Sequence, residues 1–478
     1  MIYRLADGIS VKATPEGGVL LSSRPLRMLR LNQSLLALAR RLEEDWLAPQ
    51  TPAESSVLET LAKRGFVQRR RPPLHPGAEQ LPTVSVVIPV KDRADELRNC
   101  LTSLHMLNYP RHRLEIVVVD DGSSDNSAAV ARELGAVLVE SGAVGGGPAL
   151  ARNRGAQSAS GEILAFIDSD CIASPQWLVE LLPVFAEANV AAVGGLVDGM
   201  YDESALDRYE AVMSSLNLGG REMSGSAGDD TFYLPSCNLL VRKQAFMAAN
   251  GFRTALQVGE DVDLTWRLRD AGWQIVYLPE GTVCHAHRSK LWPFMKRRFD
   301  YGTSEGLLKQ LHPERGKKMV LPAVLTVILG LLVGALVARS LLLLPLAAAV
   351  LLADTALATR KIRAQQFPFT LLQVLSARVR AVGSLSYYLG YHLLRYYLLP
   401  FLLVALFYPP AGVLLLGVAG GVGLVDYRVR KPRMSLPAFY LYHFLEQLAY
   451  GTGVFWGCLR MKSFSCYRLD LHNVSATA

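Results

Sequence analysis

Cysteine is scarce in this sequence and forms no pattern. Six are spread over 478 residues, at positions 100, 171, 237, 284, 458 and 466, and no two have C-x-x-C spacing. That argues against a disulfide framework and fits a reduced, cytoplasmic setting. The opening stretch, residues 1–10, lacks the basic-then-apolar run of a secretory signal. The net charge is +8 and the pI about 9.1, yet there is no long basic tail, helix-turn-helix signature or basic–aromatic repeat. Those absences argue against a nucleic-acid partner. Apolar residues, by contrast, are abundant: 50% of the chain is hydrophobic and the mean hydropathy is +0.21. The excess falls after Met319, where many lysines and arginines flank apolar segments, and this points to a membrane.

Four stretches follow from the composition. Residues 1–70 read as a small α+β module. Tyr3–Leu5 and Ile9–Lys12 alternate like short strands, Gly17 and Gly18 supply a turn, and Leu31, Leu35, Leu36, Leu38 and Leu42 recur near helical spacing behind a cap at Asn32. Val57, Leu58 and Leu61 mark a second helix ended by Gly65. In pattern and size the module resembles the winged-helix peptide-recognition domains related to the PQQ-pathway chaperone; a packing domain without a ligand is the other reading. Residues 71–81 combine charge, proline and glycine as a linker does. Residues 82–318 alternate apolar strands (Val84–Val90, Leu114–Val119, Ile163–Ile167) with helical stretches (Ala94–Leu107, Ser127–Leu134), which predicts an α/β domain with a parallel sheet. Residues 319–478 hold four candidate membrane spans, at Met319–Ala338, Ser340–Ala358, Tyr387–Tyr408 and Ala411–Val425, and then a tail. Cationic residues gather before the first, between the second and third, and after the fourth span. The positive-inside rule then predicts a plasma-membrane (inner-membrane) protein whose soluble region and C-terminus face the cytoplasm.

The chemistry is concentrated at strand ends, where open α/β sheets bind ligands. The second strand runs into Asp120 and Asp121, and the third into the triplet Asp168, Ser169, Asp170. Carboxylates so close to buried strands need solvent, a cation or a ligand. Along an extended segment the two acids of the triplet would share one side, suited to a hard divalent cation such as Mg2+.

Pro89 with Asp92, the Asp120–Asp121 pair, Gly147 through Arg152 and Asn153 to Gly155, and Asp168–Asp170 are similar to the motifs of family 2 glycosyltransferases of the GT-A fold. So are Asn238 with Arg242, and Glu260–Asp261 followed by Asp263, Trp266 and Arg267; the resemblance covers roughly residues 82–302. It implies roles residue by residue. Asp120, Asp121 and Pro89 would flank the nucleotide base, Asp92 the nucleoside edge, and Arg152 and Asn153 the diphosphate and sugar. Asp168 and Asp170 would hold the sugar and a Mg2+ or Mn2+ ion, with His285 as a further metal ligand. Asp261 would be the general base, with Asn238, Glu260, Trp266 and Arg267 on the acceptor side. Simpler readings stand beside these. Asp261 could cap a helix, Asn238 could serve a turn, Asp263 and Arg267 could be a surface pair, and His285 an ordinary satisfied histidine. Phe294, Arg297, Tyr301 and Gly302 resemble the family's amphipathic segment along the membrane.

The resemblance implies a single displacement on a nucleotide-sugar donor, with inversion of configuration. The order of module, GT-A domain and membrane region is similar to that of the mycofactocin-system glycosyltransferases. This implies transfer of a hexose, glucose from UDP-glucose, to a hydroxyl of a peptide-derived redox cofactor in β linkage. Two alternatives remain at this point: a transferase acting on a lipid-linked or cell-envelope glycan acceptor, and a non-catalytic membrane scaffold that binds a peptide. Phe294 to Phe299 stands where processive polymerases carry a Gln-x-x-Arg-Trp motif, which argues against a cellulose-synthase-like enzyme.

Overall fold

The computed structural model describes residues 1–70, 81–142, 145–228, 230–315, 318–365, 367–467 and 470–472. The expected linker at 71–81 lies outside them except for Leu81. The chain divides into two compact units, residues 1–74 with 320–389 and 471–478, and residues 75–319 with 390–470.

In the first unit, Ile9–Thr14, Gly17–Ser23 and Leu26–Leu31 form an antiparallel sheet, while Ile2–Leu5 pairs with Val67–Arg70. Two helices, Gln33–Glu44 and Pro52–Lys63, complete the module. Asn32 caps the first, its Oδ1 accepting from the Leu35 amide at 2.9 Å. The apolar run at residues 19–21 has a reason. Leu20 points into the core with Leu36 and Leu42, while Val19 and Leu21 on the opposite face pack on Phe367, Phe369 and Val374. A strand buried on both faces loses its alternation. The second face of this small sheet is therefore already occupied by a segment of its own chain.

Helices Ala323–Val337 and Leu343–Ala364 belong to the same unit. Among the described residues two helices, Leu343–Ala364 and Pro409–Arg430, are long and apolar enough to cross a membrane. The other two expected spans differ from the sequence reading. The first is a helix of 15 residues, about 22 Å at 1.5 Å per residue and short of a ~30 Å hydrocarbon core. The third is broken, Leu371–Tyr396 and Leu398–Phe407 meeting at an 87° bend. Pro400 explains the break: it has no N–H for the Tyr396 carbonyl, and its ring collides with a carbonyl four residues back. The stretch read as a tail contains a 25-residue helix, Leu436–Arg460.

The second unit is built on an eight-stranded sheet in the order 223–225, 274–277, 190–194, 238–242, 163–167, 84–90, 114–120, 137–140. The last four strands run parallel, as expected. Asn238–Arg242 is antiparallel to both of its neighbours, so the sheet is mixed rather than wholly parallel. This is a GT-A-like α/β domain. Apolar side chains cover both faces: Val86, Ile88 and Val118 on one, Val87, Val119 and Phe166 on the other. A small second sheet, Cys171–Ala173, Val283–His285 and Val197–Gly199, sets Cys171 opposite His285. The chain passes from one sheet to the other between Gln274–Tyr277 in the large sheet and Val283–His285 in the small one, through the turn at Gly281.

Helix Leu291–Leu311 lies against Leu436–Arg460 with their backbones nearly touching. A Cβ on Gly302 would stand 2.3 Å from the Tyr450 carbonyl oxygen, and one on Gly453 would stand 2.1 Å from that of Phe299. Gly302 and Gly306 on one helix, and Gly453 and Gly457 on the other, make this approach possible, as small residues four apart do between packed helices.

Candidate active site

One cavity of about 720 Å3 opens at the ends of the parallel strands. Nine of the fourteen residues singled out by sequence line it: Pro89, Asp121, Arg152, Asp168, Asp170, Glu260, Asp261, Trp266 and His285. Asp92, Asp120, Asn153, Asn238 and Arg267 are not among its lining residues.

Asp121 organises the glycine loop. One carboxylate oxygen accepts from the Ser141 hydroxyl and from the Gly146 amide at 2.7 Å, and the other accepts from the Gly147 amide at 2.9 Å. Gly147, at φ +86°, turns the chain into helix Pro148–Ser158, which carries Arg152. Arg152 is almost fully buried and bridges two acids, Glu260 at 2.9 Å and Asp168 at 2.5 Å. A fork of guanidinium donors suits such a bridge.

The acidic triplet is a turn, not an extended segment. The Cys171 amide donates to the Asp168 carbonyl at 3.1 Å, and the two side chains diverge. Asp168 turns to Arg152, while Asp170 meets Arg93 and lies 3.6 Å from His285 Nε2. Asp170 Oδ1 is buried and accepts no hydrogen bond. An anionic oxygen left so is costly, and beside an imidazole nitrogen it suits a divalent cation. Cys171 also lies close, but hard cations such as Mg2+ and Mn2+ prefer oxygen and imidazole to sulfur.

Glu260 and Asp261 open helix Glu260–Asp270 behind Gly259, whose φ of +82° lets the chain enter the helix. Asp261 does not act as the N-cap. Its Oδ2 accepts from the Ser236 amide at 3.1 Å and its Oδ1 from the Val262 amide at 2.8 Å. Burial raises its pKa above the usual carboxylate value, against those two amides. Glu260 is pushed up to about 7, by burial first and then by the charge of Asp261.

The five residues outside the cavity are held by the fold. Asn238 is fully buried and its amide is used up: Oδ1 accepts from Trp177 Nε1 at 2.8 Å, and Nδ2 donates to the Leu196 and Gly281 carbonyls at 2.9 Å. Asn153 ties down Phe252 through both its backbone groups. Arg267 binds the fully buried Asp263 at 2.8 Å and the carbonyls of Ala249 and Gly251, so this pair is internal rather than superficial. Asp92, at φ +51°, and Asp120 accept from Ser124 and Ser123, bracing the turn below the strand ends.

Sequence reasoning missed Arg93, Glu210, Arg288, Arg298 and Arg395, all of which line the cavity, as does His287 beside the expected His285. Arg93 directly follows Asp92 at the end of the first parallel strand, and that position was the available signal. The others come from helices and turns with no motif. His287 is pushed down to about 3 by burial and by the nearby His285 and Arg298, so it is neutral.

Comparison with known proteins accords with this geometry. The model of glycosyl transferase family 2 matches residues 85–248. A pre-mycofactocin glycosyltransferase of Mycobacterium tuberculosis is 31% identical over 495 aligned residues, covering 97% of this chain and 98% of that protein. Glycosyltransferase AglE of Haloferax volcanii is 32% identical over 236 residues, 47% of this chain and 73% of its own. A solved mannosyltransferase from Pyrobaculum calidifontis, in complex with GDP-Man and Mn2+, aligns with 68% of this chain and 93% of its own at 21% identity, with a TM-score of 0.42. With the family's motifs lining one cavity and a relative matched end to end, the chain belongs to glycosyl transferase family 2.

Proposed function

We propose that this protein is a membrane-attached inverting glycosyltransferase that moves glucose from UDP-glucose to a hydroxyl of a peptide-derived redox cofactor, mycofactocin or its precursor. The observation that carries the reading is the meeting of Asp168, Asp170, Arg152 and Asp261 in one cavity at the strand ends. The full-length match to a pre-mycofactocin glycosyltransferase supports the acceptor class.

The donor nucleotide enters beside Pro89 and the Asp121-braced glycine loop. Asp168, held by Arg152, faces the sugar. Asp170 and His285 would hold Mg2+ or Mn2+; when bound, such a cation offsets charge on the departing diphosphate. Asp261 accepts the proton of the acceptor hydroxyl as its oxygen forms the new bond to the anomeric carbon and the bond to the nucleoside diphosphate breaks. One displacement converts an α-linked donor into a β-glycoside. Burial raises the pKa of Asp261 and so makes it a stronger base than an exposed aspartate. Arg315, Lys317 and Lys318, which precede the first apolar helix, support a cytoplasmic active site at the plasma membrane.

Purified protein incubated with a panel of nucleotide-sugars and with pre-mycofactocin, read by mass spectrometry, tests the donor and the acceptor. NMR of the product tests the stereochemistry. A product that keeps the α configuration would remove the single-displacement mechanism.

A further inference from the structure

The cavity has a second wall that the motifs do not describe, formed by helix Leu291–Leu311 and residues beyond 390, all within the second compact unit. Behind it lies a buried charge network. Arg298, 3% exposed, donates to Glu210 Oε1, and its Nε stands 3.6 Å from Glu446 Oε1. Glu446, 5% exposed, accepts from the Tyr209 hydroxyl at 2.7 Å and from Arg395 at 3.2 Å. Two carboxylates thus balance two guanidinium groups, contributed by four separate stretches of chain.

Stability alone is a weak account of such a network. Removing four charges from water costs several kcal/mol per ion, and apolar side chains of similar size often stabilise as well or better. Arg298 Nε is moreover left without a hydrogen-bond partner. The arrangement does fix geometry at the cavity. The Arg298 guanidinium lies 5.9 Å from the centre of the Tyr301 ring and that of Arg297 lies 4.8 Å from it. Tyr301 lines the cavity with Asp261 and feels its charge. Glu210 and Arg298 line the same space, whereas Glu446 stands behind them.

We propose that Glu446, on helix Leu436–Arg460, is a positioning residue of the transfer reaction: it fixes Arg298, and through it the Tyr301–Glu210 wall that the acceptor meets on its way to Asp261. The C-terminal helix is then a working part of the active site as well as a packing element. The inference rests on the glycosyltransfer reading. Without Glu446, Arg298 loses one of its two carboxylate neighbours and is free to leave Tyr301. The acceptor hydroxyl then meets Asp261 in poorer geometry, while water, which needs no positioning wall, still reaches the donor.

The test uses the full-length protein in nanodiscs with UDP-glucose as donor and pre-mycofactocin as acceptor. It measures transfer and donor hydrolysis together. Glu446→Gln should lower the ratio of transfer to hydrolysis about tenfold, since misplacement by an ångström costs up to ~10²-fold. Tyr209→Phe removes one hydrogen bond from Glu446 and leaves the packing intact, so it carries the test if the first variant does not fold. It should lower the same ratio about threefold, a fraction of that positional effect. A merely structural role would lower both rates in proportion. Proportional loss, or an unchanged ratio in both variants, overturns the proposal. Absence of both transfer and hydrolysis in the wild type would instead sink the glycosyltransfer reading, and this inference with it.

Discussion

The two walls of the cavity are built in opposite ways. On one, the acids sit where buried strands end, so each lies within a few residues of an apolar run: Asp121 after Leu114–Asp120, Asp168 and Asp170 after Ile163–Ile167. On the other, Glu210, Arg298, Arg395 and Glu446 are brought together from far apart in sequence by helix packing. A parallel sheet concentrates chemistry in short contiguous motifs. A helical wall distributes it: glycines set how closely its helices approach, and charged residues between them hold the side chains that face the cavity.

Loss of the strand-end wall should produce the largest effect. Asp261→Asn keeps the shape but cannot take the proton, and general-base help is worth ~10²- to 10⁴-fold in rate. Transfer kinetics should show kcat reduced within that range with UDP affinity preserved. A loss below about tenfold would move the base to another carboxylate. Asp170→Asn should come next. It should abolish stimulation by added Mn2+, because its amide is a weaker ligand than the carboxylate facing His285. A Mn2+ titration that still saturates at the wild-type concentration would remove Asp170 from the metal site.

The helical wall should respond first in stability. Gly453→Val would place a side chain 2.1 Å from the Phe299 carbonyl oxygen, a backbone atom that cannot move aside alone. Overpacking of this kind costs ~1–3 kcal/mol, so the midpoint of thermal unfolding should fall and transfer should fall with it. Gly417→Ala is the control, since nothing lies within 4 Å of a Cβ there. It should leave the midpoint unchanged or raise it, alanine being the better helix former. Equal behaviour of the two variants would mean that the helix pair is not held by close backbone contact.

The strand-borne wall was legible because strand period and acid position read directly from the chain. The resemblance then supplied roles, and nine of the residues it named line one cavity. Asn153, Asn238 and Arg267 show where that stops. An asparagine beside a strand end has the same letter whether it faces a ligand or, like Asn238, spends its amide on Trp177, Leu196 and Gly281. The helix Leu436–Arg460 escaped notice for a related reason. His443, Glu446 and Gln447 lie on its buried side, while Leu441, Phe444 and Phe455 are exposed, so its polarity is inverted relative to a soluble amphipathic helix. The glycine spacing at 453 and 457, matched at 302 and 306, was the readable clue.

The smallest expected effect concerns the junction of the two walls, where Glu260 and Asp261 share one helix start. Glu260 is pushed up to about 7 in the folded protein, by burial first and Asp261 second, from an ordinary 4.5. Between those values the folded state holds the extra proton, so stability should fall as pH rises through that window and level off above it. Glu260→Gln removes the titration. Its unfolding midpoint should decline less than the wild type's between about pH 5 and pH 8, the window in which the shifted carboxyl ionises. The same substitution removes a neighbouring negative charge from Asp261. The acid limb of its kcat/KM profile should therefore move to lower pH, since Asp261 must lose its proton to act as base. The Arg152 bridge gives the control: Arg152→Lys keeps a cation near both acids and should shift the limb less than Arg152→Met, which removes it. A limb that does not move in Glu260→Gln would show that Asp261 titrates independently of Glu260, with its raised value due to burial and the charge of Asp168.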